Sequence, residues 1–227
     1  IALSNNTTAS CNTAVGRSAL QENTTGCGNT AVGRNSLDAN TTGDRNVGIG
    51  RDALSSNTTA DYNTSVGSEA MEVNSTGANN TAVGFKALQS NTTAEKNVAV
   101  GFCSLKDNTT GTNNTAVGHC SLGKNATGAH NTASGYRALF SNTTGSSNTA
   151  NGIFALYSNT SRWETTQIGR SIDSHIEDSF PNIKFAEIAV FNIPEYIGSK
   201  NSSSELDCKV RSLFYSLHYK DLPRVAD

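Results

Sequence analysis

Proline is absent from the first 161 residues of this 227-residue chain, and all three prolines lie after that point. Hydrophobic residues make up 35% of the chain and aromatic residues 7%, which is low for a globular enzyme. The formal net charge is −2 and there is no basic run, which argues against nucleic-acid binding. No apolar stretch is long enough to span a bilayer. These shortages favour a protein with a thin interior.

Patterns that indicate catalysis or metal binding are missing as well. Paired carboxylates, a Ser/His/Asp set and Cys-x-x-Cys spacing do not occur at any recognisable interval. The four histidines are scattered, and we interpret them as surface or packing residues: His119, His130, His175 and His218. We therefore expect neither an enzyme nor a metal site, and no cofactor apart from covalent N-glycans.

What the sequence does contain is a 17-residue repeat, and a fixed period of this kind has to be interpreted before any single element. The copy at residues 80–96 reads Asn-Thr-Ala-Val-Gly-Phe-Lys-Ala-Leu-Gln-Ser-Asn-Thr-Thr-Ala-Glu-Lys. Nine copies begin with asparagine: Asn12, Asn29, Asn46, Asn63, Asn80, Asn97, Asn114, Asn131 and Asn148.

Two columns of the repeat are steadily large and apolar. One holds Val15, Val32, Ile49, Val66, Val83, Val100 and Val117, then Ser134 and Asn151; the other holds Leu20, Leu37, Leu54, Met71, Leu88, Leu105, Leu122, Leu139 and Leu156. Because one repeat is too small to close a core, we predict that stacked repeats bury both columns as continuous ladders.

The first five positions of each copy predict a short strand followed by a corner. Thr or Val follows the asparagine, then comes a small residue, and then the Val column, so Thr and Val share one face. Glycine comes next in all nine copies, as expected for positive φ or a close backbone approach. The sequence therefore predicts an all-β fold: a parallel β-solenoid or β-roll of 17-residue coils, about 40 Å long at about 4.8 Å per coil.

Composition changes sharply after residue 161, so we predict a solenoid over 1–161 and a capping or docking region over 162–227. The second region holds the only Trp and 18 of the 36 charged residues. Residues 183–192 read as a strand, and a capping box at 202–205 precedes a helical pattern that Pro223 ends. This small strand-plus-helix region is predicted to dock on the next copy and give a head-to-tail filament.

Two resemblances to known families rest on these residues. The grammar Asn-Thr-Ala-Val-Gly-x-x-Ala-Leu over residues 1–161 resembles the head repeats of YadA-like trimeric autotransporter adhesins and of tail-fibre-type proteins. The resemblance implies a left-handed parallel β-roll, often trimeric, in an extracellular fibre or adhesin. Residues 165–223, through Gln167-Ile-Gly-Arg and Phe185-Ala-Glu-Ile, resemble the end of a laminin-G or concanavalin-like jelly roll.

The clearest chemical pattern is an Asn-x-Thr/Ser sequon in every copy. The Asn and the hydroxyl residue two positions later are fixed while the residue between them varies, which is the sequence motif of N-glycosylation. An alternative is an Asn turn with a locally bonded hydroxyl. The candidate glycosylation sites are Asn6, Asn23, Asn40, Asn57, Asn74, Asn91, Asn108, Asn125, Asn142 and Asn159.

Four of the five cysteines fall on neighbouring repeats. Cys103 and Cys120 share a column, which would place their Cα atoms near 5 Å apart and within disulfide range. Cys11 and Cys27 lie one column apart and are a second candidate pair, while Cys208 is left over. Disulfides would indicate an oxidising compartment, and the alternative is a set of small buried thiols.

The column after the glycine changes from Arg17, Arg34 and Arg51 to Ser68, and then to Phe85, Phe102, His119, Tyr136 and Ile153. Arginines one coil apart repel each other unless they are neutralised, and phenylalanines there leave an apolar stripe. Both features predict a lateral contact with another chain, with Arg17, Arg34, Arg51, Phe85, Phe102 and Tyr136 as candidates. A tolerant corner facing solvent would also allow them.

Three functions follow from these expectations. The first is a structural subunit of an extracellular fibre or a cell- or virion-surface appendage, N-glycosylated and self-assembling as a filament or trimer. The second is an adhesin or tail fibre that binds a receptor or carbohydrate. The third is an ice-binding solenoid, since flat Thr ladders suit that role, although Val47, Val98 and Ala126 interrupt the Thr columns.

Overall fold

The computed structural model describes residues 1–159, 165–168 and 188–191 of the chain. Eleven strands form one sheet in chain order. The strands are β1 (Thr13–Val15), β2 (Thr30–Val32), β3 (Val47–Ile49), β4 (Thr64–Val66), β5 (Thr81–Val83), β6 (Val98–Val100), β7 (Thr115–Val117), β8 (Thr132–Ser134), β9 (Thr149–Asn151), β10 (Thr165–Ile168) and β11 (Ile188–Phe191).

Strands β1 to β10 pair in parallel, each with the strand one repeat away. Thr13 pairs with Thr30 at one end, and Thr149 pairs with Thr166 at the other. Backbone bonds also join the coils outside the strands; for example, the Leu88 N–H donates to the Ser104 carbonyl at 2.9 Å. The predicted all-β parallel solenoid of 17-residue coils is therefore confirmed.

The 17-residue register continues past residue 161, where the composition changes. β10 pairs in parallel with β9, and β11 then pairs with β10 in the antiparallel direction, with Thr165 opposite Phe191. β11 confirms residues 188–191 of the strand predicted over 183–192. Trp163, the predicted helix after Ser202, Cys208 and most of the jelly-roll resemblance lie outside the described residues.

Each three-residue strand points only its central side chain inward. The central residues of β2 to β9 are fully buried, whereas the flanking residues are partly or fully exposed. The Leu column is buried as predicted, with 0% exposure from Leu20 to Leu139. The predicted burial of the Val column is wrong, because Val15 is 57% exposed, Val117 43% and Ile49 39%.

Asparagine takes the place in the interior that the Val column was expected to fill. Asn80 donates two hydrogen bonds: its backbone N–H donates to Asn63 Oδ1 at 2.9 Å, and its Nδ2 donates to the Ala94 carbonyl at 2.8 Å. Asn91 Nδ2 donates to Asn74 Oδ1 at 2.7 Å and to the same Ala94 carbonyl at 3.0 Å. Both asparagines are 0% exposed. Two stacked amide ladders therefore run through the core, and their mutual hydrogen bonds offset the cost of burying them.

The glycine that follows each of the first eight strands is required for two reasons at once. Gly84 has φ of +135°, in the region that side chains disfavour, and a Cβ there would lie 2.5 Å from the Gly101 carbonyl oxygen of the next coil. Both structural explanations for the invariant glycine are confirmed, and the tight corner places the following residue on the surface.

Candidate functional site

The outward side of strands β1 to β7 presents a continuous apolar ladder, here called the Val face. Its residues alternate between exposed and half-buried along the rod. Since contiguous apolar surface of this kind marks interaction sites, the Val face is the leading candidate. Its members are Val15, Val32, Ile49, Val66, Val83, Val100 and Val117.

Next to the Val face, two residues further along each coil, runs the column here called the Arg–aromatic stripe. The stripe comprises Arg17, Arg34, Arg51, Ser68, Phe85, Phe102, His119, Tyr136 and Ile153. All are exposed except Ser68, which is half-buried. The six residues predicted for lateral contact are therefore accessible, while the contact itself stays a prediction.

The aromatic half of the stripe is an ordered stack. The ring centroids of Phe85 and Phe102 are 5.3 Å apart, those of Phe102 and His119 4.9 Å, and those of His119 and Tyr136 5.2 Å. Phe102 is nevertheless 47% exposed. The coil spacing sets this stacking, so each ring packs on the next and leaves its outer edge available to a partner.

The cationic half of the stripe is only partly neutralised within the chain. Arg51 forms ion pairs with Asp52 at 3.2 Å and with Glu69, and Glu69 also pairs with Lys86 at 3.3 Å. Arg17 and Arg34 make no ion pair with any described residue. Two unneutralised guanidinium groups therefore lie on the surface one coil apart.

Eight of the ten sequon asparagines lie inside the fold, which argues against the predicted glycosylation at those positions. Asn23, Asn40, Asn57, Asn74, Asn91, Asn108, Asn125 and Asn142 are all 0% exposed. The amide nitrogen that would carry the sugar already donates two hydrogen bonds, to the preceding asparagine and to a carbonyl three residues on. Asn6 is exposed and Asn159 half-buried, so glycans on these two stay a prediction.

The threonine two residues after each sequon asparagine lies on the surface, in what we call the outer Thr ladder. Its members are Thr8, Thr25, Thr42, Thr59, Thr76, Thr93, Thr110, Thr127 and Thr144, and all nine are exposed. None of their hydroxyls bonds to another described residue. The middle threonine differs, since Thr92 Oγ1 donates to the Thr109 carbonyl at 3.2 Å. The outer Thr ladder is uninterrupted, because Val47, Val98 and Ala126 belong to other columns.

All four described cysteines are free thiols, so both predicted disulfides stay predictions. Burial raises the pKa of Cys103, and the neighbouring Cys120 raises it further. Burial likewise raises the pKa of Cys120, which shares a hydrogen bond with Cys103. Cys27 Sγ lies 3.9 Å from Ser10 Oγ of its own column rather than beside a second thiol. Cys103 and Cys120 are therefore the better placed pair.

No family model, curated protein or solved structure matches this chain. In the part of the chain that the structure describes, no group of three His, Cys, Asp or Glu residues could hold a metal ion. The same residues include no helix long and apolar enough to cross a membrane. The function has therefore to be inferred from the surface columns, which are the Val face, the Arg–aromatic stripe and the outer Thr ladder.

Proposed function

We propose that this protein is a structural subunit of an extracellular fibre or surface appendage, and that it self-associates through the Val face. The exposed Val face is the observation that carries this proposal. Selection for folding alone does not favour aliphatic residues at all seven positions of a column that is exposed or half-buried, because much of their surface stays in water in the isolated chain. A partner that covers the Val face would remove that surface from water at about 25 cal/mol per Å².

The solenoid suits a structural role because its contacts are local and repeated. Each coil bonds only to its neighbours, so the length of the stack grows with the number of coils. The Leu and Asn ladders fill the interior, and the surface ladders then run along the whole stack in register. The extracellular location rests on the resemblance of the repeat, and head-to-tail docking of residues 162–227 remains a prediction.

Sedimentation equilibrium of the full chain at several concentrations tests the proposal. We expect concentration-dependent association for the native protein and a shift to monomer for Val83→Asp, since a charge within a desolvated apolar contact is costly. Thr93→Asp is the matched control, because it adds the same charge to an exposed ladder away from the Val face. A native chain that stays monomeric at every concentration, or equal effects of the two variants, would contradict the proposal.

A second function, ice binding, is favoured by the outer Thr ladder. Nine exposed hydroxyls without protein partners, held at the coil spacing on a rigid backbone, form a regular array that can bind ordered water. Thermal hysteresis of the native protein is the test. Thr93→Tyr, which breaks the array, should reduce it, whereas Thr92→Ala, which copies Ala126 of the same column, should not. Absence of hysteresis in the native chain excludes this function.

A further inference from the structure

Asn-x-Thr motifs also occur outside the buried sequon column, at the corner that leads into a strand. Residues 79–81 read Asn-Asn-Thr and lead into β5, and residues 113–115 read Asn-Asn-Thr and lead into β7. In both motifs the first asparagine occupies the last position of the 17-residue repeat, where the residue type varies from coil to coil. These motifs therefore meet the sequence requirement for N-glycosylation at a different place on the coil.

The two corner asparagines lie on the surface, unlike the buried asparagines of the sequon column. Both are exposed. Asn79 has φ of +60° and Asn113 φ of +56°, a left-handed conformation that asparagine tolerates better than most residues. The backbone N–H of each donates to the preceding coil at 3.1 Å, from Asn79 to the Asp61 carbonyl and from Asn113 to the Glu95 carbonyl. The corner is therefore fixed by its backbone, while the side chain meets solvent.

The amide nitrogens at these corners are also accessible in their hydrogen bonding. The Asn79 side chain makes no hydrogen bond with another described residue, and Asn113 Nδ2 donates only to Thr112 Oγ1 at 3.2 Å, in an exposed contact. Asn91 Nδ2, in the sequon column, instead donates two buried hydrogen bonds. A sugar on Asn91 would break the buried ladder, whereas a sugar on Asn79 or Asn113 leaves every buried hydrogen bond in place.

The spacing of the two corners allows both to be modified in one molecule. Asn79 and Asn113 are two coils apart, which is about 10 Å at about 4.8 Å per coil. Lys96 occupies the same corner on the coil between them. Sugars at these positions therefore avoid the crowding that a sugar on every coil would produce.

We propose that Asn79 and Asn113 are acceptor sites for N-glycans, an inference that rests on the proposed extracellular location of the chain. The donor is an oligosaccharide carried on a lipid diphosphate. The asparagine Nδ2 attacks C1 of the first sugar, an Nδ2–C1 bond forms, and the C1–O bond to the diphosphate breaks. The lipid diphosphate leaves with the bonding electron pair, and the amide nitrogen gives up one proton.

Site mapping of the full chain tests this proposal. The chain is directed through the secretory pathway of a eukaryotic cell, and the secreted protein is treated with a glycan-releasing amidase in heavy-oxygen water, which converts each glycosylated asparagine into a labelled aspartate. We expect label at Asn79 and Asn113 and none at the buried Asn74 and Asn91. Secreted protein without sugar at either corner, or with sugar on the buried asparagines alone, would overturn the proposal.

Removal of one sequon hydroxyl gives a matched variant. Thr81→Val copies Val98 of the same column, so the shape of the strand is kept while the motif is lost. Labelling at Asn79 should disappear and labelling at Asn113 should stay. Labelling at Asn79 that survives the substitution would contradict sequon-dependent modification.

Addition of a sequon at an equivalent corner is the converse test. His130 is exposed with φ of +58°, and Asn131 and Thr132 follow it. His130→Asn completes the motif with one substitution and should add one sugar, at position 130. A secreted variant that carries no sugar there would contradict the corner as the place where this fold accepts glycans.

Sedimentation equilibrium of the secreted chain, before and after release of the sugars, separates this proposal from the proposed function. A chain that self-associates but bears no sugar at either corner overturns the glycan sites alone. A chain that is glycosylated at both corners but monomeric at every concentration, with and without its sugars, overturns the proposed self-association alone.

Discussion

The Leu ladder and the Val face look alike in sequence and lie on opposite sides of the coil wall. Both are large, aliphatic and repeated every 17 residues, yet Leu88 is 0% exposed and Val83 is 37% exposed. The short strand explains the difference, because a three-residue strand turns only its middle side chain inward. An apolar residue that recurs in one column can therefore be required by folding, as in the Leu ladder, or by association, as proposed for the Val face.

The largest expected effect is on the free energy of unfolding, and it distinguishes the Leu ladder from the Val face. Leu88→Ala should lower the free energy of unfolding by about 2–5 kcal/mol, since it opens a cavity in a fully buried ladder. Leu88→Met is the matched control, because Met71 occupies the same column, and it should cost less than about 1.5 kcal/mol. Chemical denaturation measures both changes, and equal losses for the two variants would contradict a packed Leu ladder.

Substitutions in the Asn ladders should cause the next largest loss of stability, although these ladders are built from polar side chains. Asn91→Ala removes the Nδ2 donor and leaves Asn74 Oδ1 and the Ala94 carbonyl each without one hydrogen bond. We expect a loss of about 1–3 kcal/mol in denaturation experiments.

The neighbouring sequon position supplies the control for that loss. Thr92→Ala copies Ala126 of the same column and removes one partly buried hydrogen bond, which should cost about 1 kcal/mol or less. If Asn91→Ala is as mild as Thr92→Ala, the asparagine is held in place by something other than the buried ladder.

A substitution on the Val face should hardly change the stability of the monomer. Val83→Ser copies Ser134 of the same column, and we expect a change within about 0.5 kcal/mol in dilute solution. The same variant should weaken self-association in sedimentation experiments. A large loss of monomer stability would place Val83 in the core with Leu88 and remove the contrast between the columns.

The smallest effect concerns a carboxylate near the Leu ladder. Burial raises the pKa of Asp38, and Glu22 and Asp52 raise it further. The folded state therefore binds the proton of the Asp38 carboxyl more tightly than the unfolded state does. Above the pKa of the folded state the ionised carboxylate lowers the stability of the protein, and this penalty disappears as the pH falls below the ordinary pKa of an aspartate. Asp38→Asn should raise the free energy of unfolding at pH 7 and leave it nearly unchanged at pH 3.

The exposed Asp107 supplies the control for this pH dependence. Asp107→Asn should show no comparable gain at pH 7 when the two variants are unfolded in parallel across the pH range. A gain for Asp38→Asn that grows toward low pH would have the wrong sign and would contradict the raised pKa.

Periodicity was sufficient to predict the coil, its strand and its glycine, because those depend on local pattern and on stacking alone. The interior was harder to predict. A fixed Asn with a fixed Thr two residues later suits a glycosylation sequon and also suits a buried amide beside an exposed hydroxyl. The constancy of Asn80 and its equivalents in all nine copies, without a sequon's Thr two residues on in most of them, was the signal that these asparagines are structural.

The backbone conformation of the turns is the second feature that the sequence does not predict. Leu88 adopts φ of +54° and Lys86 φ of +54°, although residues with side chains seldom enter this region. No residue preference predicts that conformation. It arises because each coil must turn twice within a few residues, and the stacked coils on both sides hold the turn. Which apolar column faces inward depends on those turns, so the sequence alone could not separate Leu88 from Val83.

Thiol accessibility at two positions of one coil tests the central claim most directly. In a cysteine-free chain, Leu88→Cys and Val83→Cys are each treated with a water-soluble maleimide, in dilute solution, in the folded and unfolded states. We expect the thiol at position 83 to react in the folded protein nearly as fast as in the unfolded one, and the thiol at position 88 to react only after unfolding. Fast reaction at 88 with protection at 83 in the monomer would contradict it.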